Sequence, residues 1–193
     1  IDLQQTWADV NQDGDQDVTV VFGRSLLVYY GDEEEPFSKL LEISIDGFRA
    51  TTGSTDNLIR VADLNQDGVG DFVMAVMLET DRNDPERYAI VLLPSAGMTR
   101  YQLPQIIEVA TVPALLDLRD VNGDGLLDIV AAGKELEWLL GQPDGAFTTL
   151  SVGSLHEDAL AELAIADMNN DGKQDFIVAR TNPVKELQVW LVE

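Results

Sequence analysis

One nine-residue motif occurs four times along this chain and constrains its fold more than any other feature. The motif is D-x-N-x-D-G-x-x-D, and its copies occupy residues 9–17, 63–71, 120–128 and 167–175, called loops 1 to 4 below. Successive copies start 54, 57 and 47 residues apart. Four matches in one frame are not a chance event, so each copy belongs to one supersecondary unit of a repeat protein.

The segments on either side of each motif predict β-strands. Before each motif, inward and outward positions alternate, as in NLIRVAD and AELAIAD, which is the period of two expected of a strand. After each motif comes a short apolar run (VTVVFG, FVMAVM, IVAAG or FIVAR), which is typical of a strand buried on both faces. Each motif is therefore predicted to join two adjacent antiparallel strands.

Two further strands are predicted in the repeat. The third reads SLLVYYG, YAIVLLPS, LEWLLG and LQVWLVE, and a more polar fourth reads FSKLLEISI, YQLPQIIEV and FTTLSVG in the first three copies. Four strands in roughly fifty residues are typical of a β-propeller blade. We therefore predict an all-β chain of about four propeller-type blades, the last incomplete. The single repeat domain 1–193 divides into blade 1 at about 1–54, blade 2 at about 55–112, blade 3 at about 113–158 and partial blade 4 at about 159–193.

The charge of the chain excludes some classes of partner. The sequence holds 35 acidic and 12 basic residues, a formal net charge of -23. Nucleic acids and anionic membrane surfaces require a basic patch, so neither is expected as a partner, and no apolar run approaches the ~18 residues of a membrane span. The acidic excess indicates either a solvated acidic surface or carboxylates paired with metal cations. The absence of cysteine and the single histidine, His156, leave no ligand set for zinc.

The residue types of the motif fit calcium, a hard cation that takes six to eight oxygen ligands. Positions 1, 3 and 5 offer side-chain oxygens, and the glycine at position 6 permits a sharp turn with positive φ. Position 7 is occupied by Asp15, Val69, Leu126 and Lys173, so its contribution is a backbone carbonyl. The aspartate at position 9 is predicted to close the cage with both oxygens. Mg²⁺ fits less well because it demands a tight octahedron and keeps its waters.

Two other interpretations of the motif are weaker. Asx-Gly hairpin turns without metal need neither an aspartate at position 9 nor four identical frames. An EF-hand or dockerin shares the first six residues but requires a glutamate at position 12 and flanking helices. Position 12 here is Val20, Met74, Ala131 or Val178, and the flanks predict strands.

The four loops, their strand flanks and the turn GQPDGAF together resemble the FG-GAP/VCBS repeats of integrin α-chain propellers, secreted bacterial proteins and some fungal lectins. The resemblance covers nearly the whole chain. In that family the loop binds Ca²⁺ through positions 1, 3, 5, 7 and 9, which implies up to four ions here. The implied ligands are Asp9, Asn11, Asp13, Asp15 and Asp17; Asp63, Asn65, Asp67, Val69 and Asp71; Asp120, Asn122, Asp124, Leu126 and Asp128; and Asp167, Asn169, Asp171, Lys173 and Asp175, with position 7 acting through its carbonyl.

The resemblance implies a non-enzymatic, calcium-stabilised domain that serves extracellular recognition or adhesion and binds a protein or glycan ligand. It implies a secreted or cell-surface location, with a signal peptide removed. No catalytic residues are predicted, since no nucleophile, phosphate-binding or zinc-protease motif occurs and His156 lacks a suitable partner. A lectin, with Tyr88 or Tyr101 stacking on sugar, is one alternative. A subunit of a filament or surface assembly, whose open blade edges a second copy completes, is another, and an enzyme is the third.

Overall fold

A computed structural model describes residues 4–22, 24–32, 34–35, 37–50, 58–79, 83–97, 100–154, 160–180 and 186–190. Every regular element in these ranges is a β-strand, which confirms the all-β prediction. The described residues hold no helix with the length and apolarity that a membrane span requires. The chain divides into two compact units, Ile1–Val112 and Pro113–Glu193, and each unit is described by itself.

The first unit contains two antiparallel sheets. Sheet 1 has the strand order β1-β2-β3-β4, in which consecutive strands pair. Sheet 2 has the order β5-β7-β8-β9, with β6 also paired to β7. The strands are β1 Gln4–Ala8, β2 Asp17–Phe22, β3 Ser25–Tyr30, β4 Lys39–Ser44, β5 Phe48–Ala50, β6 Ile59–Ala62, β7 Asp71–Leu78, β8 Arg87–Leu93 and β9 Gln105–Val109.

The second unit repeats this arrangement. Sheet 3 has the order β10-β11-β12-β13, and sheet 4 has the described order β14-β15-β16. The strands are β10 Leu115–Arg119, β11 Asp128–Ala132, β12 Glu135–Gly141, β13 Phe147–Ser154, β14 Leu160–Ala166, β15 Asp175–Arg180 and β16 Glu186–Trp190. All four motifs lie between the predicted antiparallel partners, namely β1 and β2, β6 and β7, β10 and β11, and β14 and β15.

Consecutive sheets share a hydrophobic core within each unit. In the first unit, Val21 and Val28 of sheet 1 pack in one cluster with Phe72, Met74 and Leu93 of sheet 2. In the second, Val130 and Trp138 of sheet 3 pack with Phe176 of sheet 4, and the Trp138 and Phe176 ring centroids lie 4.8 Å apart. Burial of these apolar side chains is the main force that holds each pair of sheets together.

Sheet 2 contains one strand that the sequence analysis does not predict. The three-residue strand β5 pairs with the second half of β7, from Phe48 opposite Leu78 to Ala50 opposite Val76. The predicted first strand of the repeat, β6, pairs with the first half of β7. Two short strands therefore share one edge of an eight-residue strand.

The prediction that the strand after each loop is buried on both faces holds for β7 and β11 but not for β2, nor for β15, where Ile177 and Ala179 are only half-buried. Every residue of β11 and six of the eight in β7 are buried. In β2 the burial alternates, and Phe22 is 52% exposed. The apolar run in β2 therefore covers one core with one face and leaves the other partly open to solvent.

Phe72 anchors the core of the first unit. Its side chain is fully buried, and its ring centroid lies 5.2 Å from that of Tyr101. We expect Phe72→Ala to lower the free energy of unfolding by about 3–5 kcal/mol, because it deletes a buried ring and leaves a cavity. Urea denaturation measures this loss. The matched control is Phe22→Ala, where the ring is half exposed, and a change there as large as that at Phe72 would contradict the assignment.

Candidate metal centre

Each acidic loop is held by hydrogen bonds from its own backbone to its own side chains. In loop 1 the Asp9 carboxylate accepts from the N–H groups of Asp13 and Gly14, at 3.1 and 2.9 Å. Asn11 Oδ1 accepts from the Asp13 N–H, and Asp13 Oδ1 accepts from the Asp15 N–H. The Asn11 amide nitrogen donates to Asp13 Oδ2 at 2.7 Å. Positions 1, 3 and 5 thus wrap the backbone around one turn.

The same frame recurs in the other three loops. Position 1 accepts from the N–H groups of positions 5 and 6, position 5 accepts from that of position 7, and the asparagine at position 3 donates to position 5. The distances lie between 2.8 and 3.2 Å. The conserved order of residue types across the four copies therefore corresponds to one conserved geometry.

Position 9 has a different environment from the other acidic positions. Asp17, Asp71, Asp128 and Asp175 are at most 1% exposed. In each loop Oδ2 of this residue accepts from the N–H of position 2, at 2.7 to 2.9 Å. The position 9 carboxylate is therefore a buried hydrogen-bond acceptor that anchors the loop.

The other oxygen of position 9 binds a residue that the sequence analysis missed. Oδ1 accepts from the N–H of Gly31, Ser95 and Gly141 in loops 1, 2 and 3, at 2.7, 2.6 and 2.8 Å. Each of these residues lies at or just after the end of the third strand of its sheet. The recurrence of a small residue in YYG, LLPS and LLG is the signal that could have identified them.

Positions 31 and 141 require glycine because the backbone of the loop passes too close for a side chain. A Cβ at Gly141 would lie 2.6 Å from the Leu127 carbonyl oxygen, and one at Gly31 equally close to that of Gln16. We expect Gly141→Ala to destabilise the second unit by roughly 1–3 kcal/mol, because backbone must shift and the bond to Asp128 stretches. Thermal unfolding measures the loss. Gly145→Ala is not a neutral control because φ there is +79°, so Ala146→Gly, at an exposed turn, is the better one.

Position 4 of each loop takes a left-handed backbone conformation, which the glutamine at this position in loops 1 and 2 does not predict. Gln12, Gln66 and Asn170 have φ between 57° and 60°, and Gly123 occupies the same position in loop 3. The left-handed region costs a non-glycine residue about 1–2 kcal/mol. The hydrogen bonds on both sides of position 4 hold it there.

Neighbouring loops are joined in pairs by a backbone hydrogen bond. The Gly70 N–H of loop 2 donates to the Val10 carbonyl of loop 1 at 2.7 Å. The Gln174 N–H of loop 4 donates to the Val121 carbonyl of loop 3 at 3.4 Å. Both acceptor residues are at position 2 and fully buried. Each compact unit thus contains a linked pair of loops.

The buried carboxylates are electrostatically unfavourable in the protein. Burial raises the pKa of Asp17 despite the N–H donors of Gly31 and Val10, and repulsion from nearby carboxylates raises it further. The pKa values of Asp71 and Asp128 are raised by the same primary cause. In loop 4 the opposite holds for the exposed Asp171, because hydrogen bonds from the Lys173 N–H and Asn169 lower its pKa. A cation beside the position 9 carboxylates would favour their charged form.

The predicted ligands come together only in part. In loop 2 the Asn65 amide nitrogen lies 3.2 Å from Asp67 Oδ2 and 3.4 Å from Asp71 Oδ1, so positions 3, 5 and 9 meet. The Ser95 hydroxyl donates to Asp67 Oδ2 at 2.6 Å and adds an oxygen that sequence did not indicate. Across the ranges that the structure describes, no three acidic or histidine side chains converge as a metal-binding group. The donors fit a hard cation by residue type, since all are oxygens, but they do not form a closed cage.

The candidate residues outside the loops are Tyr88, Tyr101 and His156, and the two tyrosines differ in their surroundings. Tyr101 is largely buried against Phe72, and burial raises its pKa, so its ring belongs to the core and not to a sugar site. Tyr88 is half-buried and donates its hydroxyl to Glu86 Oε2 at 2.6 Å. His156 lies outside the described residues.

The sheets and loops define an all-β repeat protein whose repeats each carry an acidic loop between their first two strands. A family model described as FG-GAP-like repeat matches residues 9–74 and 120–178, which is more than half of the chain. The chain belongs to the FG-GAP-like repeat family. Each matched range spans one of the two linked pairs of loops.

Among solved structures, the chain is similar to a lectin from Agrocybe aegerita, whose structure concerns the specific recognition of non-reducing terminal N-acetylglucosamine. The identity is 18%, the TM-score is 0.55, and the match covers 98% of this chain and 52% of the lectin chain. This chain therefore spans about half the length of that lectin, and the similarity concerns the fold alone. No curated protein matches the sequence.

Proposed function

We propose that the chain is a calcium-binding, non-enzymatic recognition or adhesion domain of the extracellular space or cell surface, built of propeller-type blades. The observation that carries this proposal is the single hydrogen-bond frame shared by four loops of the same donor order. All four loops also retain an aspartate at position 9 that is at most 1% exposed, and a nearby cation would stabilise the charged form of that carboxylate. Oxygen donors alone, without sulfur or imidazole, favour a hard cation such as Ca²⁺.

Calcium would supply the positive charge that the loop lacks between its carboxylates. In loop 2 the amide N–H edge of Asn65 is the positive partial charge between the carboxylates of Asp67 and Asp71. A divalent cation would neutralise these groups far more strongly than an amide dipole. The residues that would hold it are positions 1, 3, 5 and 9 by side chain and position 7 by carbonyl. This role is structural, since the ion would fix a loop between two strands.

The expected calcium affinity would suit a location outside the cell. Extracellular modules with sites of this kind bind calcium at roughly 10⁻⁴–10⁻³ M, above the free calcium concentration of a cytosol. Four bound ions would offset about a third of the net charge of -23. The remaining carboxylates would then form an acidic, well-solvated surface.

Equilibrium dialysis with calcium tests the proposal directly. We expect up to four ions per chain, with dissociation constants of roughly 10⁻⁴–10⁻³ M. Asp9→Ala removes a side-chain ligand and should lose one ion. Asp15→Ala, six residues away in the same loop, removes one carboxylate that is not a ligand and should lose none. Fewer than two ions in the native chain, or an equal loss in both variants, would contradict the four-site proposal.

A lectin activity is the second candidate, and a cavity favours it. The first unit has a cavity of about 300 Å³ beside loop 1, lined by polar and apolar groups that include Asn11, Asp13, Tyr30 and Lys39. Its size is at the lower end of the range of ligand pockets. Together with the fold shared with the N-acetylglucosamine-binding lectin, it supports a glycan as the ligand.

A glycan array followed by titration with N-acetylglucosamine tests this candidate. Lys39→Ala removes a charged group from the cavity wall, and we expect it to weaken sugar binding by about tenfold, as the loss of a charged hydrogen bond does. Lys134→Ala changes the same residue type at an exposed turn in the second unit and serves as control. An array without any bound glycan would remove the lectin candidate and leave the calcium proposal untouched.

A further inference from the structure

The sheets of this protein pack on one another in a fixed direction. The face of each sheet that carries the residue two positions before its loop is called the leading face. The opposite face is called the trailing face. In the first unit the leading face of sheet 2, with Val61, Phe72 and Leu93, packs on the trailing face of sheet 1, with Val21 and Val28. In the second unit the leading face of sheet 4 packs on the trailing face of sheet 3 in the same way. Both contacts join a leading face to a trailing face.

The leading face of sheet 1 carries an apolar row that is open to solvent. The register places Trp7, Val18, Tyr29 and Leu40 in one row across its four strands. Trp7 is 58% and Leu40 51% exposed, and Phe37 meets Trp7 edge-on with ring centroids 6.1 Å apart. Sheet 2 uses the equivalent row to contact its neighbour. This face therefore has the composition of a sheet-to-sheet contact.

The trailing face of sheet 4 also carries apolar side chains that are open to solvent. Ala164, Ile177 and Val189 form one row, and Glu162, Ala179 and Leu187 form the next row on that face. Leu187 is 70% and Val189 56% exposed. Small alanines beside aliphatic side chains leave room for large rings, as Val21 and Val28 do opposite Phe72. The apolar row on the leading face of sheet 1 and the apolar side chains on this trailing face thus match in polarity the two sheet-to-sheet contacts within the chain.

We propose that these two faces bind each other between copies of the chain, so that the leading face of sheet 1 in one copy packs on the trailing face of sheet 4 in a second copy. The partner is a second copy because this chain carries both halves of a contact that it already makes twice within itself. The contact is heterologous, which generates a closed ring if the rotation closes and a longer assembly if it does not. Self-repulsion from the net charge of -23 opposes association, so counterions are required.

Sedimentation velocity and light scattering measure the association. At about 100 µM protein in about 0.15 M NaCl with calcium, we expect assemblies of two or more chains of 21.2 kDa. Trp7→Glu and Leu187→Glu each place a charge in the contact and should weaken association at least about tenfold. Leu103→Glu changes an 88% exposed leucine away from both faces and should leave association unchanged. Circular dichroism verifies that each variant is folded.

Mixing the two variants makes the test specific to the direction of packing. A Trp7→Glu copy keeps an intact trailing face, and a Leu187→Glu copy keeps an intact leading face. An equimolar mixture should therefore regain association through one intact contact, although each variant alone associates at least about tenfold more weakly than the native chain. A native chain that stays monomeric would overturn the proposal, as would a mixture that fails to associate. A Leu187→Glu variant that associates as tightly as the native chain would overturn it too, since leading faces would then pair with each other.

Discussion

Removal of calcium with EDTA is expected to lower the melting temperature of this protein by roughly 10–30 °C, and added calcium should restore it. Sites with dissociation constants of about 10⁻⁴–10⁻³ M each stabilise the folded state by roughly 1.4–2.7 kcal/mol at about 10 mM calcium. Two loops in each compact unit then give roughly 3–5 kcal/mol per unit. The expected effect is large because the ions would bind beside Asp17 and Asp128, whose pKa values are raised by burial and by repulsion from other carboxylates of the same loop.

The essential control separates binding from screening. A chain with a net charge of -23 is stabilised by any counterion, so calcium must be compared with magnesium at the same concentration and with NaCl at the same ionic strength. Magnesium supplies the same charge but fits a flexible oxygen cage poorly. Differential scanning calorimetry measures all three. If magnesium raises the melting temperature as much as calcium does, specific calcium sites are ruled out.

Asp17→Asn is expected to produce the second large effect. The substitution keeps the size of the side chain but replaces one carboxylate oxygen with an NH₂ group. Both oxygens of Asp17 accept from buried N–H groups, those of Val10 and Gly31, each at 2.7 Å. One of these donors would then face another donor. We expect a loss of about 3 kcal/mol in the free energy of unfolding, in EDTA as well as in calcium.

Asp15→Asn is the matched control for this substitution. It makes the same chemical change two residues away in the same loop, and it alters the net charge by the same amount. Position 7 accepts valine, leucine and lysine in the other loops, so we expect a change within about 0.5 kcal/mol. Urea denaturation of both variants, with and without calcium, measures the difference. Equal losses in the free energy of unfolding at the two positions would show that the change in charge alone matters. They would contradict a specific role for the buried Asp17 carboxylate.

Local patterns were sufficient to predict most of the fold. The period of two before each loop and the apolar run after it predicted the strand pairs. Each signal is contained in a continuous segment of about seven residues, so it can be read without knowledge of distant partners. Strand β5 could not be predicted in this way, since it has three residues and its partner Leu78 is thirty residues from Phe48. The exposed side of β2 was also beyond prediction, because burial of a second face depends on which sheets are neighbours.

The residues of the candidate site were predictable only where the motif itself contains them. Each loop lies between the two strands that the motif predicts, but its ligands come together only in part, and whether the loops bind calcium stays a prediction. Gly31, Ser95 and Gly141 come from another strand, so the motif carries no information about them. The positive φ of Gln12 and Gln66 was missed as well, because glutamine shows no preference for that conformation.

The hydrogen-bond frame of the loops has a consequence for resistance to proteolysis. Proteases cleave exposed segments that can open locally and extend into an active site. The loops are polar and largely exposed. In loop 1, however, the N–H groups of positions 2, 5, 6 and 7 each donate to a carboxylate or amide oxygen of the same loop. Opening a loop for cleavage would break these bonds together. These loops are for that reason expected to be poor substrates, and limited proteolysis of the native chain should spare them.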